Sequence, residues 1–258
     1  MRRLAVIAVV VAVAAYGVAR FRSHKPPVRV GCGTAIPDAL YSLDTDQASN
    51  AATIAAVGLK LGMPNHAVTI ALATALLESR LRNLTGGDRD SVGLFQQRPS
   101  QGWGRRDEIL DPRYAAAAFY RVLVRVPGWQ VLDVTVAAQK VQRSAMPTGY
   151  AGWEAEARAL ARALTGEVAG GLVCRLGKAS SSAGGGIAVA NAFSQDFGSI
   201  SLSATMTSTR GWAVATWLVA KAESLGVRSV HFNGLAWTGD RGTWVAEGRV
   251  DPHVVFAF

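Results

Sequence analysis

One acidic side chain, Glu78, stands in a sequence context that suits proton transfer. It lies near the end of a run of small and apolar residues, Ala75-Leu76-Leu77-Glu78-Ser79-Arg80-Leu81. Such a run predicts a helix that presses the carboxyl group against poorly hydrated surroundings, and burial of this kind raises the pKa of an acid. A carboxylic acid that stays protonated near neutral pH can donate a proton to a leaving group.

A second segment, Gly93-Leu94-Phe95-Gln96, follows across a loop and predicts a turn beside this acid. Its glycine lets the backbone approach a ligand closely, and its amide groups can orient a polar substrate. From the residues alone, a helix-surface acid paired with Arg82 at i+4 is the competing explanation for Glu78. Together with the spacing of the family described next, we expect Glu78 to be catalytic. We expect the substrate-binding residues to include Ser79, Gly93, Leu94, Phe95 and Gln96.

These two segments resemble the lysozyme-like lytic transglycosylases of bacterial cell walls. In that family a Glu-Ser pair closes a helix and a Gly-Leu-Met-Gln segment follows across a loop. Glu78-Ser79 and Gly93-Leu94-Phe95-Gln96 occupy the corresponding places here, with Phe95 instead of methionine. The resemblance covers about residues 45–155. The tyrosine of the family's Ala-Tyr-Asn segment is absent, since this region has Ala137-Ala138-Gln139, and Tyr150 is a downstream substitute.

The resemblance implies cleavage of the β-1,4 bond between N-acetylmuramic acid and N-acetylglucosamine in peptidoglycan glycan strands. One glutamate protonates the leaving oxygen and then accepts the proton of the muramic 6-hydroxyl, which attacks the anomeric carbon and leaves an anhydro sugar. Hydrolysis with two carboxylates stays open, because Asp88 or Asp90 is a possible second acid. Turn formation is the competing explanation for both aspartates.

Three aromatic residues are further candidates for substrate contact. Trp103, between Gly102 and Gly104, is a possible stacking platform for a sugar ring. Tyr114, like Tyr120, matches the helix where the family places a tyrosine, although core packing explains either equally well, and Tyr150 is the downstream candidate. The four histidines are isolated in sequence, so we expect neither a metal nor another cofactor.

The N-terminus predicts export or anchoring. Residues 4–19 are an unbroken apolar run between basic residues, so we expect residues 1–25 to be a membrane anchor, with a cleaved signal segment as the alternative. This segment holds five of the 27 Lys and Arg residues and none of the 18 acids. It leaves 22 basic residues against 18 acids, a balance without a nucleic-acid-binding pattern.

Two cysteines, Cys32 and Cys174, flank the predicted helical region. An even number in an exported chain favours a disulfide, and two buried free thiols are the alternative. We therefore expect a protein outside the cytoplasm, attached to the cytoplasmic membrane or secreted.

The order of patterns predicts an α+β protein. Residues 37–176 contain successive helix signals and form the expected lysozyme-like catalytic domain, residues 177–186 are a Gly/Ser-rich linker, and residues 187–258 are a small α+β accessory domain. In that domain Ile200 to Met206 alternates as a strand does, and Asn233-Gly234 predicts a hairpin.

Two other functions stay open from the sequence. The first is that of a catalytically silent wall-binding or scaffold protein. The second is that of a subunit of a secretion or conjugation apparatus that opens the wall. In the second case the C-terminal domain contacts a protein partner.

Overall fold

A computed structural model describes residues 30–144, 148–177, 185–248 and 250–258. These residues form an α+β fold with nine α-helices and two antiparallel sheets. The helices are α1 (Thr45–Lys60), α2 (Asn65–Ser79), α3 (Arg106–Ile109), α4 (Pro112–Leu123), α5 (Val134–Gln142), α6 (Glu154–Leu164), α7 (Gly186–Phe197), α8 (Ser208–Ala220) and α9 (Ala222–Leu225). The strands are β1 (Gly31–Thr34), β2 (Ser42–Leu43), β3 (Leu172–Arg175), β4 (Ser229–Phe232), β5 (Leu235–Thr238), β6 (Trp244–Ala246) and β7 (Val255–Ala257).

Helix α1 begins with a complete capping box. The Asp44 carboxylate accepts from the Gln47 backbone N–H at 2.8 Å, and the Gln47 side chain accepts from the Asp44 backbone N–H at 2.9 Å. Asp46 lies in the first turn, where a negative charge also suits the helix dipole.

Helix α2 is the central helix of the molecule. It contacts α1, α4, α5, α6 and a 3₁₀ helix at Gly149–Trp153. Eleven of its fifteen residues are buried, which is why its sequence is apolar and small on nearly every side. Pro64 precedes its first turn, where the missing N–H costs nothing. The helix ends at Ser79.

The first sheet joins the start of the helical region to its end. Its strand order is β2-β1-β3, and Cys32 of β1 lies opposite Cys174 of β3 in the antiparallel register. The two sulfurs form a disulfide across residues 142 positions apart in sequence. The predicted disulfide is therefore confirmed. The sequence did not predict this sheet, because Gly31 and Gly33 weaken the strand pattern of β1.

The C-terminal segment combines three helices with the second sheet, whose order is β6-β5-β4-β7. The hairpin at Asn233-Gly234 is confirmed: both residues have positive φ, and β4 pairs with β5 around them. The predicted strand over residues 200–206 is wrong. This stretch forms turns, in which the Ser201 and Ser203 hydroxyls bond to each other at 2.8 Å.

Helices α7 and α8 pack directly on α1, and α8 also contacts α6 and β3. One continuous cluster of buried side chains therefore extends from β1 to the C-terminal sheet. Its largest fully buried members include Trp217 of α8 and Trp237 of β5. The helix that carries Glu78 thus shares a core with residues near the end of the chain.

Two predicted segments fall wholly or mostly outside the described residues. The expected membrane segment, residues 1–25, is one of them, and positions 178–184 of the predicted linker are the other. In the part of the chain that the structure describes, no helix has the length and apolar character needed to cross a membrane.

Candidate active site

Glu78 is the second-last residue of α2 and is half-buried. The helix stops here because Arg80 and Leu81 both adopt left-handed backbone angles, with φ of 55° and 58°. Burial raises the pKa of the Glu78 carboxyl, and hydrogen bonds with the Gln142 and Tyr150 side chains partly oppose that rise. The net upward direction favours a protonated acid.

The turn at Gly93–Gln96 lies against the end of α2. The Gln96 N–H donates to the Gly93 carbonyl at 3.3 Å, and Val92 pairs with Gln97 on either side of the turn. Gly93 has a φ of 79°, and a Cβ at this position would lie 2.7 Å from the Ile109 carbonyl oxygen. Both the backbone angle and the close approach therefore require glycine.

Ser79 attaches this turn to the helix. Its hydroxyl lies 2.7 Å from the Leu94 carbonyl oxygen and 3.1 Å from the Ala75 carbonyl oxygen. Since the Ser79 side chain is buried, its hydroxyl fixes the turn beside Glu78 and does not face a ligand.

Leu94 and Phe95 have fully buried side chains. The Phe95 ring stacks on Phe119 with ring centroids 4.9 Å apart. These two side chains therefore pack in the core. Any contact that they make with a substrate must come from their backbone atoms.

Gln142, at the end of α5, connects the acid to the turn. Its Nε2 donates to the Phe95 carbonyl at 2.7 Å, and its side chain also forms a hydrogen bond with Glu78. An amide nitrogen has two hydrogens, so one group can serve both acceptors. The sequence patterns described above do not indicate Gln142. The available signal was that Gln142 continues the stripe of Val134 and Ala138 along α5 but is polar, whereas the other two residues are apolar.

Tyr150 approaches Glu78 from the 3₁₀ helix. Its hydroxyl lies 3.4 Å from Glu78 Oε1, at the long end of hydrogen-bond distances. Burial, followed by the charge of Glu78, raises the pKa of Tyr150, so the phenol stays protonated and acts as a donor. The downstream tyrosine considered from sequence is thus close to the acid.

Gln96 has a half-buried side chain that folds back on its own turn. Its Nε2 donates to the Gly93 carbonyl at 3.2 Å, and its Oε1 lies directly against Gly87. A Cβ at Gly87 would clash with this amide. Gln96 therefore couples the turn to the preceding loop.

The two aspartates of that loop are in different surroundings. Asp90 accepts from Arg98 Nε at 2.8 Å and from the Ser100 backbone N–H at 2.8 Å. These bonds hold the pKa of Asp90 well below its usual range. The Asp88 side chain is 90% exposed, and its carboxylate lies 3.9 Å from Arg89. The structure gives Asp90 a role in loop structure and leaves Asp88 in solvent.

Tyr114, the third residue of α4, packs closely against the later part of the loop. Its ring and hydroxyl lie against Gly104, the neighbour of Trp103. Trp103 is half-buried and packs against the core. The contacts around Gly104 explain why this loop end is fixed.

A separate cavity of about 310 Å³ lies on the C-terminal sheet. His231 Nδ1 is 3.0 Å from Glu247 there, and His253 Nδ1 is 2.9 Å from Asp251. None of the residues that line it belongs to α2 or to the Gly93–Gln96 turn. Across the described residues, no group of three or more His, Cys, Asp or Glu side chains is arranged to hold a metal.

The site therefore consists of one half-buried acid, two side-chain partners and a turn anchored by Ser79 and Gln142. A single acid of this kind can donate a proton and take one back. No protein-family model matches the chain, and no curated protein matches it.

Proposed function

We propose that this protein cleaves the glycan strands of peptidoglycan and that Glu78 is the catalytic acid. The observation that carries the proposal is the half-buried Glu78 carboxyl, whose pKa is raised by burial while Gln142 and Tyr150 fix its position. The turn beside it supplies backbone groups for a sugar. The resemblance to lytic transglycosylases in the Glu-Ser and Gly-Leu-Phe-Gln segments supplies the substrate class.

In the proposed reaction, protonated Glu78 gives its proton to the glycosidic oxygen as the bond to the anomeric carbon breaks. The departing sugar leaves with a hydroxyl group, and Glu78 becomes a carboxylate. This carboxylate then accepts the proton of the muramic 6-hydroxyl, whose oxygen bonds to the anomeric carbon. Glu78 is protonated again, and the product is a 1,6-anhydro sugar.

A one-carboxylate reaction is favoured by the state of Asp90. Its two oxygens are occupied by Arg98 and Ser100, and its lowered pKa keeps it ionised as part of the loop. Hydrolysis through Asp88 is the alternative, in which water attacks and the product keeps a reducing end. Mass analysis separates the two products, because the anhydro sugar is lighter by one water.

Glu78→Gln tests the central role. The substitution keeps size and hydrogen bonding but has no proton to give, so we expect turnover of purified peptidoglycan to fall by about 10⁴ or more. Glu167→Gln is the matched control, because Glu167 is exposed and pairs loosely with Arg162 at 3.9 Å. Released muropeptides are measured by chromatography with the full chain in mild detergent. A Glu78→Gln protein with near-parental turnover would contradict the role of Glu78, and a parent that binds strands without cleaving them would favour the silent wall-binding protein.

We also propose that the protein acts outside the cytoplasm. The disulfide between Cys32 and Cys174 supports an oxidising compartment. The apolar run near the N-terminus supports attachment to the membrane. A protein partner for the C-terminal segment remains a prediction from the sequence.

A further inference from the structure

A second pair of side chains joins the end of α2 to the same 3₁₀ helix. The guanidinium carbon of Arg80 lies 4.0 Å from the centre of the Trp153 ring. The Arg80 backbone is fixed by its left-handed conformation and by a 2.8 Å hydrogen bond from Gln47 Nε2 to its carbonyl oxygen. Arg80 as a residue is exposed, so its charge is held in place at the surface.

This pair lies next to the catalytic acid. Tyr150 and Trp153 are three residues apart in the 3₁₀ helix, and residues at that spacing lie one above the other on one face. Tyr150 contacts Glu78, and Trp153 contacts Arg80. Along the helix axis, residues 150 and 153 are therefore separated by about 6 Å, one turn of 3₁₀ geometry.

Arg80 has no carboxylate within ion-pair distance among the described residues, unlike neighbouring arginines. Arg82 pairs with Asp44, and Arg158 pairs with Glu154 at 2.5 Å. Glu156 interacts electrostatically with Arg80. Burial raises the pKa of Glu156, and the charge of Arg80 opposes this rise. Arg80 is thus an exposed cation beside the proposed site, without an ion-pair partner among the described residues.

We infer that Arg80, supported by Trp153, binds a carboxylate on the substituent of the muramoyl sugar whose bond is cut. The inference rests on the proposed function. A guanidinium matches a carboxylate with two parallel hydrogen bonds, and stacking on an indole keeps its plane in position without neutralising its charge. The carboxylate belongs either to the free lactyl group or to a peptide attached there.

Binding of defined ligands tests this inference. The probes are a tetrasaccharide of alternating N-acetylglucosamine and N-acetylmuramic acid with free lactyl groups, the same glycan with attached peptides, and neutral chitotetraose. Affinities are measured by calorimetry on the full chain with Glu78→Gln, which prevents turnover. We expect about tenfold tighter binding of a carboxylated ligand than of chitotetraose, as for one exposed charge-assisted contact. The carboxylated ligand that shows the preference identifies the source.

Three further variants on this background separate the role of Arg80 from a general effect of charge. Arg80→Gln should remove the preference and leave chitotetraose binding unchanged. Arg82→Gln, the matched control, should keep the preference, because Arg82 is occupied by Asp44. Glu156→Gln should strengthen it, since a neighbouring negative charge is removed.

Equal affinity for neutral and carboxylated ligands, no binding of any ligand, or a preference that survives Arg80→Gln would overturn the inference. Cleavage by the parent is measured in parallel. Cleavage without a preference contradicts only this inference, whereas a preference without cleavage contradicts only the catalytic proposal.

Discussion

At the scale of single residues, the Glu78 carboxyl is held between two opposing influences. Burial favours its protonated form, and the hydrogen bonds with Gln142 and Tyr150 favour the ionised form. Because a general acid must be protonated to act, activity should fall as pH rises through the pKa of Glu78. The alkaline side of the pH profile therefore reports directly on these neighbours.

Gln142→Ala removes one hydrogen bond to the carboxylate, so the pKa of Glu78 should rise further. We expect the alkaline side of the kcat profile to move to higher pH. We also expect kcat to fall by about tenfold, because the Phe95 carbonyl loses its donor and the turn loosens. Steady-state rates on soluble glycan strands from pH 4 to 9 measure both effects. Gln130→Ala, at an exposed position, is the control. A profile that moves to lower pH would contradict this role.

The ionised Glu78 carboxylate should also lower the stability of the folded state at neutral pH. Its folded pKa lies above the unfolded value of about 4.3, so the folded state binds more protons and stability falls as pH rises from the unfolded pKa through the folded one. Glu78→Gln removes this cost. We expect its Tm to exceed that of the parent at pH 7.

Calorimetry at two pH values checks the sign of this effect. At pH 3 the parent carboxyl is protonated in both states, so the two proteins should melt together. A Tm difference of the same size at pH 3 and pH 7 would show that packing, and not ionisation, separates the two proteins.

At the scale of elements, the disulfide staples the first strand of the described chain to the strand after α6. Cys32 and Cys174 are 142 residues apart, and a cross-link over a loop that long lowers the entropy of the unfolded chain. In the chain-entropy model its loss costs about 4–5 kcal/mol. We expect Cys32→Ser with Cys174→Ser to lower the Tm by about 10 °C or more.

Thermal melts with and without reductant test this expectation. Reductant should destabilise the parent and leave the double variant unchanged. A parent whose Tm is insensitive to a reductant that does reduce its disulfide would show that β1 and β3 hold together without the cross-link.

Helix positions could be predicted from sequence where a chemical end signal exists. Asp111 accepts from the Arg113 N–H at 2.8 Å and precedes Pro112, as expected for the start of α4. The sequence does not predict helix α7 because glycines occupy its N-cap, Gly185, and its first position, Gly186, so that its N-terminus has no side-chain cap. The alternation over 200–206 predicted a strand wrongly, since a strand also needs a neighbour to pair with, and the sequence does not show one.

The sequence predicts only those parts of the candidate site whose positions follow from local spacing along the chain. The pairing of Glu78 with the turn follows from a helix end and a glycine at the proper distance. Gln142 and Trp153 come from elements whose approach to α2 depends on tertiary packing, which spacing does not reveal. Phe95 lies in the motif and is therefore predicted to bind substrate, but its ring is buried in the core.

At the scale of the whole molecule, a buried charged cluster fixes the C-terminal segment to the helices. Asp196 of α7 is fully buried and accepts from Arg113 Nε at 2.5 Å and from Trp217 Nε1 at 2.7 Å. Lys221 Nζ lies 3.6 Å from the same carboxylate and 2.8 Å from Thr53 Oγ1 of α1. Burial lowers the pKa of Lys221, and the charge of Asp196 opposes that shift.

Removing the acid alone should therefore be costly. Asp196→Ala leaves Lys221 buried without its counter-charge, and we expect the free energy of unfolding to fall by about 3–5 kcal/mol. Asp196→Leu combined with Lys221→Met removes the buried acid and the buried ammonium and leaves only the partly exposed Arg113 charge, so it should recover much of this loss. Urea denaturation followed by circular dichroism measures the difference. A double variant as unstable as the sum of its single variants would show that the two charges are not coupled.

The shared core also governs when a newly made chain can become active. Helix α1 is covered by α7 and α8, which come more than 120 residues later in the sequence. Strand β1 pairs with β3, which follows α6. Contacts between such distant parts of a chain close late in folding. A nascent chain therefore cannot complete this shared core until α8 has emerged. For the proposed glycan-cleaving activity, this order of assembly would keep half-made chains inactive.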